Sequence, residues 1–194
     1  MGICDIPSEL FKKYEIYEWK HAIAILKNDF PDEWNDLIRM LKAFSISPEW
    51  ISSPGGRKSQ IAEWLDQYLS KHGWHEKGFD TAVKVDEKEF DTPTHKVDCF
   101  KNGIALELEW NNKDPFFDRD LNNFRLLFDL RAVSVGIIIT RSDELQDYFN
   151  KIGKGASYGA STTHMSKLLP RINGGGGAGC PILVFGIKTA CIGE

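Results

Sequence analysis

Residues 133–140 read Val-Ser-Val-Gly-Ile-Ile-Ile-Thr, a β-branched, almost wholly apolar run without polar alternation. A strand of this kind has no side it can show to water, so both of its faces must be covered, as in the parallel sheets of α/β proteins. Just before it, Asp118 to Arg131 sets Leu121, Phe124, Leu127 and Phe128 at helical spacing. A strand, a helix and a further strand in this order imply a crossover unit. The expected class is α/β, a mixed central sheet flanked by helices.

Elsewhere the pattern divides into shorter pieces. Residues 8–28 space Leu10, Phe11, Tyr14, Tyr17, Ala22, Ile25 and Leu26 as a first helix, and Pro31 opens a second that ends near Phe44. Residues 52–56 form a loop, and Lys58 to His72 is a third helix stopped by Gly73. Phe79 to Val85 reads as a strand and Asp86 to Pro93 as a charged connection. Residues 143–151 and 161–169 fit short helices, Gly174 to Gly179 a loop and Pro181 to Lys188 a last strand. One domain, residues 1–194, accounts for the chain: a helical subregion over 1–50, a core over 58–140 and a basic, glycine-rich region over 148–188.

The chemistry concentrates at Asn102-Gly103, a hairpin signal between Lys96–Lys101 and Ile104–Trp110. A two-residue loop pairs 101 with 104, 100 with 105, 99 with 106 and 98 with 107. Asp98 therefore faces Glu107, with Glu109 on the same side, while Val97, Cys99, Leu106 and Leu108 point into apolar packing. Like charges opposed in this way destabilise a hairpin unless a cation intervenes. Oxygen-only donors suit Mg²⁺, with Mn²⁺ as a substitute, rather than Zn²⁺. The plainer alternative is a solvated acidic face in which Lys96 pairs with Glu109.

Val97-Asp98, eight residues, then Glu107-Leu108-Glu109 resembles the PD-(D/E)XK motif of the BglII, BstYI and BamHI group of nucleases, in which Glu or Gln replaces the usual Lys. Lys71-His72-Gly73-Trp74 ahead of the hairpin and the glycines before Ile182–Ile187 are similar in order, so the resemblance spans roughly residues 60–188. It implies a restriction-endonuclease-like fold and a type II enzyme that cuts a short palindrome in double-stranded DNA as a homodimer, leaving 5′ overhangs. It also implies Asp98, Glu107 and the Leu108 carbonyl as metal ligands, with Glu109 in the place of the Lys. Such nucleases often draw a further acid from the preceding helix; Glu63 is the candidate and Asp66 its rival. A repair nuclease of the same fold and a non-catalytic DNA-binding module are the alternatives.

The charge distribution suits either a nucleic-acid partner or an ordinary solvated surface. Net charge is −4, yet residues 148–194 hold five Lys and Arg against the single acid Glu194. Lys151, Lys154, His164, Lys167, Arg171 and Asn173 stand there among Gly, Ser and Thr, a mixture suited to phosphates. The glycine run 174–177 is expected in or near a DNA groove, and Lys113, Asp114 and Asp118 at the rim of the site. Pro54-Gly55-Gly56-Arg57-Lys58-Ser59 lacks phosphate-loop spacing and reads as a basic loop. Four scattered Cys without a C-x-x-C pair argue against zinc and disulfides. No apolar run suits a membrane span, and the first thirty residues lack a signal-peptide pattern, so a cytoplasmic location is expected.

Overall fold

A computed structural model describes residues 2–52, 58–92 and 94–193. Of the loop read at 52–56, Ser52 ends a helix and the rest, with most of the 54–59 basic segment, lies outside the described residues. In chain order the elements are α1 (Leu10–Lys13), β1 (Tyr14–Trp19), α2 (Ala22–Asp29), α3 (Pro31–Ala43), α4 (Pro48–Ser52) and α5 (Gln60–Ser70). Next come β2 (His75–Lys77), β3 (Ala82–Val85), β4 (Lys88–Asp91), β5 (Val97–Lys101) and β6 (Ile104–Glu109). The chain continues through α6 (Phe116–Asp129), β7 (Val135–Arg141), α7 (Leu145–Lys151), α8 (Met165–Asn173) and β8 (Ile182–Ile187).

Six strands form one sheet in the order β1-β8-β7-β6-β5-β2. The central β6, β7 and β8 run parallel, and β1, β5 and β2 are antiparallel to their neighbours. Every residue of β7 is buried, as its composition requires: Val135, Ile137 and Ile139 face one apolar cluster and Ile138 the other. Helices α2, α3, α5 and α7 cover the first face through Leu26, Leu37, Leu65 and Phe149. Helices α6 and α8 cover the second through Phe117, Leu121, Phe124 and Leu168. This is the mixed, helix-flanked sheet expected of a restriction-endonuclease-like fold.

Two segments depart from the expected pattern. Residues 8–28 are not one helix, and residues 1–50 are not purely helical. Tyr14-Glu-Ile-Tyr-Glu-Trp19 is an edge strand paired with β8 from Tyr14↔Ile187 to Trp19↔Ile182, and left-handed backbone at Lys20 and His21 separates it from α2. Its aromatic and β-branched residues prefer an extended strand, and short flanking helices supplied a misleading longer period. The charged connection 86–93 contains β4, which pairs with β3 in a separate two-stranded sheet whose residues are all exposed.

Candidate active site

The turn at Asn102 and Gly103 has φ of 47° and 87°, the left-handed pair that a two-residue hairpin loop demands. Its register is 101↔104, 100↔105 and 99↔106, as expected. There the ladder ends. At the next position side chains take over: the Glu107 carboxylate accepts the Asp98 backbone N–H at 3.3 Å, and the Asp98 carboxylate accepts the Leu108 N–H at 3.1 Å. The cause lies on the other edge of β5, where His75 pairs with Phe100 and Lys77 with Val97, leaving one extra residue in β5. This bulge turns Val97 into the cluster with Phe100 and Ala105, not onto the side of Cys99, Leu106 and Leu108 that strict alternation gives it.

Glu107 and Glu109 face α6, and so does the apolar cluster around them. Each is 1% exposed, which rules out a solvated acidic face and the Lys96–Glu109 pair; Lys96 instead bonds Glu76. From α6 comes Asp120, also 1% exposed. Burial, then repulsion from Asp120 and Asp98, pushes the Glu107 carboxyl well above the usual range. Burial and Asp120 raise Glu109 to about 9, against the opposing pull of Asn112 and Arg119. Asp120 is raised too, by burial, against the opposing influence of Glu109 and Arg119. Arg119 is the counter-ion, 2.7 Å from Asp120 Oδ1 and 3.4 Å from Glu109 Oε1, with its guanidinium over the Phe116 ring. Among the described residues, buried Asp120 Oδ2 has no hydrogen-bond partner.

The fourth acid of the cluster is thus Asp120, not Glu63. Glu63 is exposed and bonds Gln67 at 3.3 Å, on a helix packed against the opposite face of the sheet through Ile61, Leu65 and Leu69. Asp66, its rival, pairs with Lys58 and accepts the Cys99 thiol at 3.6 Å. Asp120, Arg119 and Asn112 were not foreseen. One signal was available: Asp120 interrupts the α6 apolar stripe Phe117, Leu121, Phe124, where a charge must have a buried partner.

Strand register places this cluster at the carboxyl ends of the parallel strands, level with Thr140 and Gly186, where open α/β sheets bind ligands. A sequence model of the restriction endonuclease BglII/BglIII family matches residues 14–187, nearly the whole chain and with it every strand of the large sheet. The chain belongs to that family. It is a type II restriction endonuclease, a hydrolase of double-stranded DNA from a family that generally requires a divalent metal. No curated protein matches it.

In this endonuclease the donor set is all oxygen and carries more negative charge than Arg119 can balance, which fits a hard divalent cation. Among the described residues no three His, Cys, Asp or Glu side chains converge as a ligand group. The carboxylates are instead drawn onto backbone amides, Asn112 and Arg119.

The residues expected to meet DNA are dispersed. Lys167 and Arg171 lie together against the start of α6, Arg171 at 2.8 Å from Asp118 and both at 3.7–3.8 Å from Asp114. His164 bonds Asp143 at 2.7 Å, Lys154 donates to the Ser52 carbonyl, and Lys151 is exposed at the end of α7. Asn173 accepts the Tyr17 hydroxyl beside the edge strand. The glycine loop 174–179 precedes β8 and so lies at the other end of the sheet from Glu109. There a Cβ on Gly177 would meet the Ile182 side chain at 2.4 Å, so close packing in the fold already accounts for this glycine. Cys99, Cys180 and Cys191 are buried free thiols. Among the described residues no helix is long and apolar enough to cross a membrane.

Proposed function

We propose that this endonuclease acts in the cytoplasm as a homodimer, cutting both strands of a short palindrome with Mg²⁺, or Mn²⁺ in its place, and leaving 5′ overhangs. Two-fold symmetry of the protein then matches that of its site. The observation that carries the metal-dependent reading is the burial of Glu107, Glu109 and Asp120 with carboxyls raised and one oxygen unpartnered. Such a pocket costs stability unless positive charge enters it.

Asp98, Glu107 and the Leu108 carbonyl would hold the ion, and Asp120 adds charge from the α6 side. When bound, a divalent ion supplies an acidified water and a Lewis acid for the phosphoryl oxygen. Glu109, which burial keeps protonated in the metal-free pocket, would as a carboxylate be the group to orient or deprotonate the attacking water. Asn112 holds Glu109 from behind at 2.8 Å. Arg119, partly exposed at the pocket mouth, is the group placed to exchange a carboxylate for a phosphate oxygen. Lys151, Lys154, His164, Lys167, Arg171 and Asn173 are proposed as backbone contacts of different weight, with Lys167 and Arg171 nearest the chemistry.

Incubation with bacteriophage DNA and Mg²⁺ tests this directly. Discrete bands whose sequenced ends share one palindrome and a 5′ overhang support the proposal. Smears, cleavage restricted to branched substrates, or no cutting would refute it.

A further inference from the structure

Arg141 ends β7 beside the carboxylate cluster, yet it is 1% exposed and forms no salt bridge among the described residues. An uncompensated buried guanidinium is costly and persists only where its donors are well used. Nε donates to the Thr163 carbonyl at 3.1 Å, Nη1 to the Tyr158 carbonyl at 3.5 Å and Nη2 to the Thr162 hydroxyl. Its plane lies 5.5 Å and 5.4 Å from the Phe149 and Tyr158 rings, which stack on each other and meet Trp110 edge-on. Desolvation holds its pKa down at about 10, so it is still a cation at neutral pH. Every polar partner belongs to one segment, 158–163.

That segment is stitched in turn to the chain leaving β6. Thr163 N–H donates to the Asn112 carbonyl at 2.9 Å, Asp114 N–H to the Ser161 carbonyl at 3.0 Å, and Asn111 Nδ2 to the Ser157 carbonyl at 3.2 Å. Lys113 and Thr162 form an antiparallel bridge. Asn112 then reaches Glu109 at 2.8 Å. The hydroxyl-rich segment Ser157-Tyr-Gly-Ala-Ser-Thr-Thr163 and the Glu109 carboxyl are therefore two ends of one network whose buried post is Arg141.

We propose that Arg141 is a positioning residue that fixes segment 157–163 and, by way of Asn112, sets the placement of Glu109. This deepens the nuclease reading and rests on it, because it makes 157–163 the segment through which duplex engagement is transmitted to the catalytic carboxyl. Lys cannot substitute fully, since one ammonium cannot reach three diverging acceptors from a planar fork.

Hydrogen exchange on the full chain tests the coupling without any cleavage assay. In R141M the Thr163 and Asp114 amides should exchange about tenfold faster or more while the β7 amides hold, with R141K intermediate. T162V, which removes the hydroxyl that accepts from Arg141 and donates to the Gly159 carbonyl, should give a smaller effect of the same pattern and serves if R141M does not fold. In steady-state cleavage kcat should fall about tenfold with KM for duplex nearly unchanged, and R141M combined with N112A should lose less than the product of the two. Unchanged exchange at Thr163 and Asp114, or strictly multiplicative losses, overturns the proposal. An absence of cleavage in the wild type would sink the nuclease reading but would leave the exchange result to be judged separately.

Discussion

Glu109 on β6 and Asp120 on α6 are each 1% exposed and share one counter-ion, Arg119, which lies 3.4 Å from Glu109 Oε1 and 2.7 Å from Asp120 Oδ1. Burial and the neighbouring Asp120 carboxyl favour the protonated form of Glu109. The Glu109 carboxyl is pushed up to about 9 in the folded chain, against about 4.5 for a glutamate in water. Between these values the folded chain holds a proton that the unfolded chain has released. Metal-free stability should therefore be greatest at the acidic end of this window and fall as pH rises through it, by up to about 1.4 kcal/mol per unit for this group. Denaturation in EDTA from pH 5 to 9 measures the slope. E109Q should be more stable than wild type at pH 8 with a flatter profile, and an unchanged slope would show that Glu109 is ionised in the folded chain.

Asp120 is set apart by its unpartnered Oδ2. Changing it to Asn keeps the Arg119 contact at Oδ1, removes a buried charge and offers Glu109 a donor. D120N should lower the Glu109 pKa, visible by carboxyl NMR, and stabilise the metal-free protein. The lost charge should also raise the Mg²⁺ concentration needed for half-maximal cleavage by at least about tenfold, since a divalent and a single charge several ångströms apart attract by several kcal/mol at an effective dielectric near 20. A Mg²⁺ requirement equal to wild type would remove Asp120 from the ion's surroundings.

Asp98 and Glu107 cap each other's strand where the ladder stops, so their loss has a structural and a chemical component. D98N and E107Q preserve the shape. Each should reduce cleavage by roughly three orders of magnitude or more while duplex binding measured in Ca²⁺ stays near wild type. Glu63, exposed on the far side of the sheet, supplies the contrast: E63Q should cut within about threefold of wild type, in line with ordinary surface substitutions. A deep loss in E63Q would mean that α5 swings toward the cluster when DNA binds.

Much of this was legible in the chain because local rules and tertiary packing agree. The Asn102-Gly103 turn fixes register without outside help, and the apolar 133–140 run requires a covered strand. Residues 14–19 failed for the opposite reason: their strand exists only because β8 offers an edge. The bulge that turns Val97 around is likewise set by β2, a three-residue strand too short to announce itself. Asp120 was hidden by sequence distance, since a partner for a helix aspartate cannot be read until α6 is laid across β6. The basic tail looked unopposed only because Asp114, Asp118 and Asp143 lie outside it in sequence.

That last point bears on how strongly the tail can bind DNA. Lys167 and Arg171 are already engaged with Asp114 and Asp118, so a phosphate must compete for them. The pairs are partly exposed and solvent-screened, worth well under about 1 kcal/mol each, so a polyanion wins the exchange. K167A and R171A should each weaken duplex binding at all sequences alike and reduce the slope of log K against log salt by about one unit. D118N should do the reverse to affinity, freeing Arg171 and tightening binding severalfold at low salt, an advantage that shrinks as salt rises. Binding measured in Ca²⁺ from 50 to 200 mM salt, an interval suited to counting phosphate contacts, distinguishes these outcomes. Slopes equal to wild type in both Ala variants would mean that the duplex approaches the carboxylate cluster from a side other than α8.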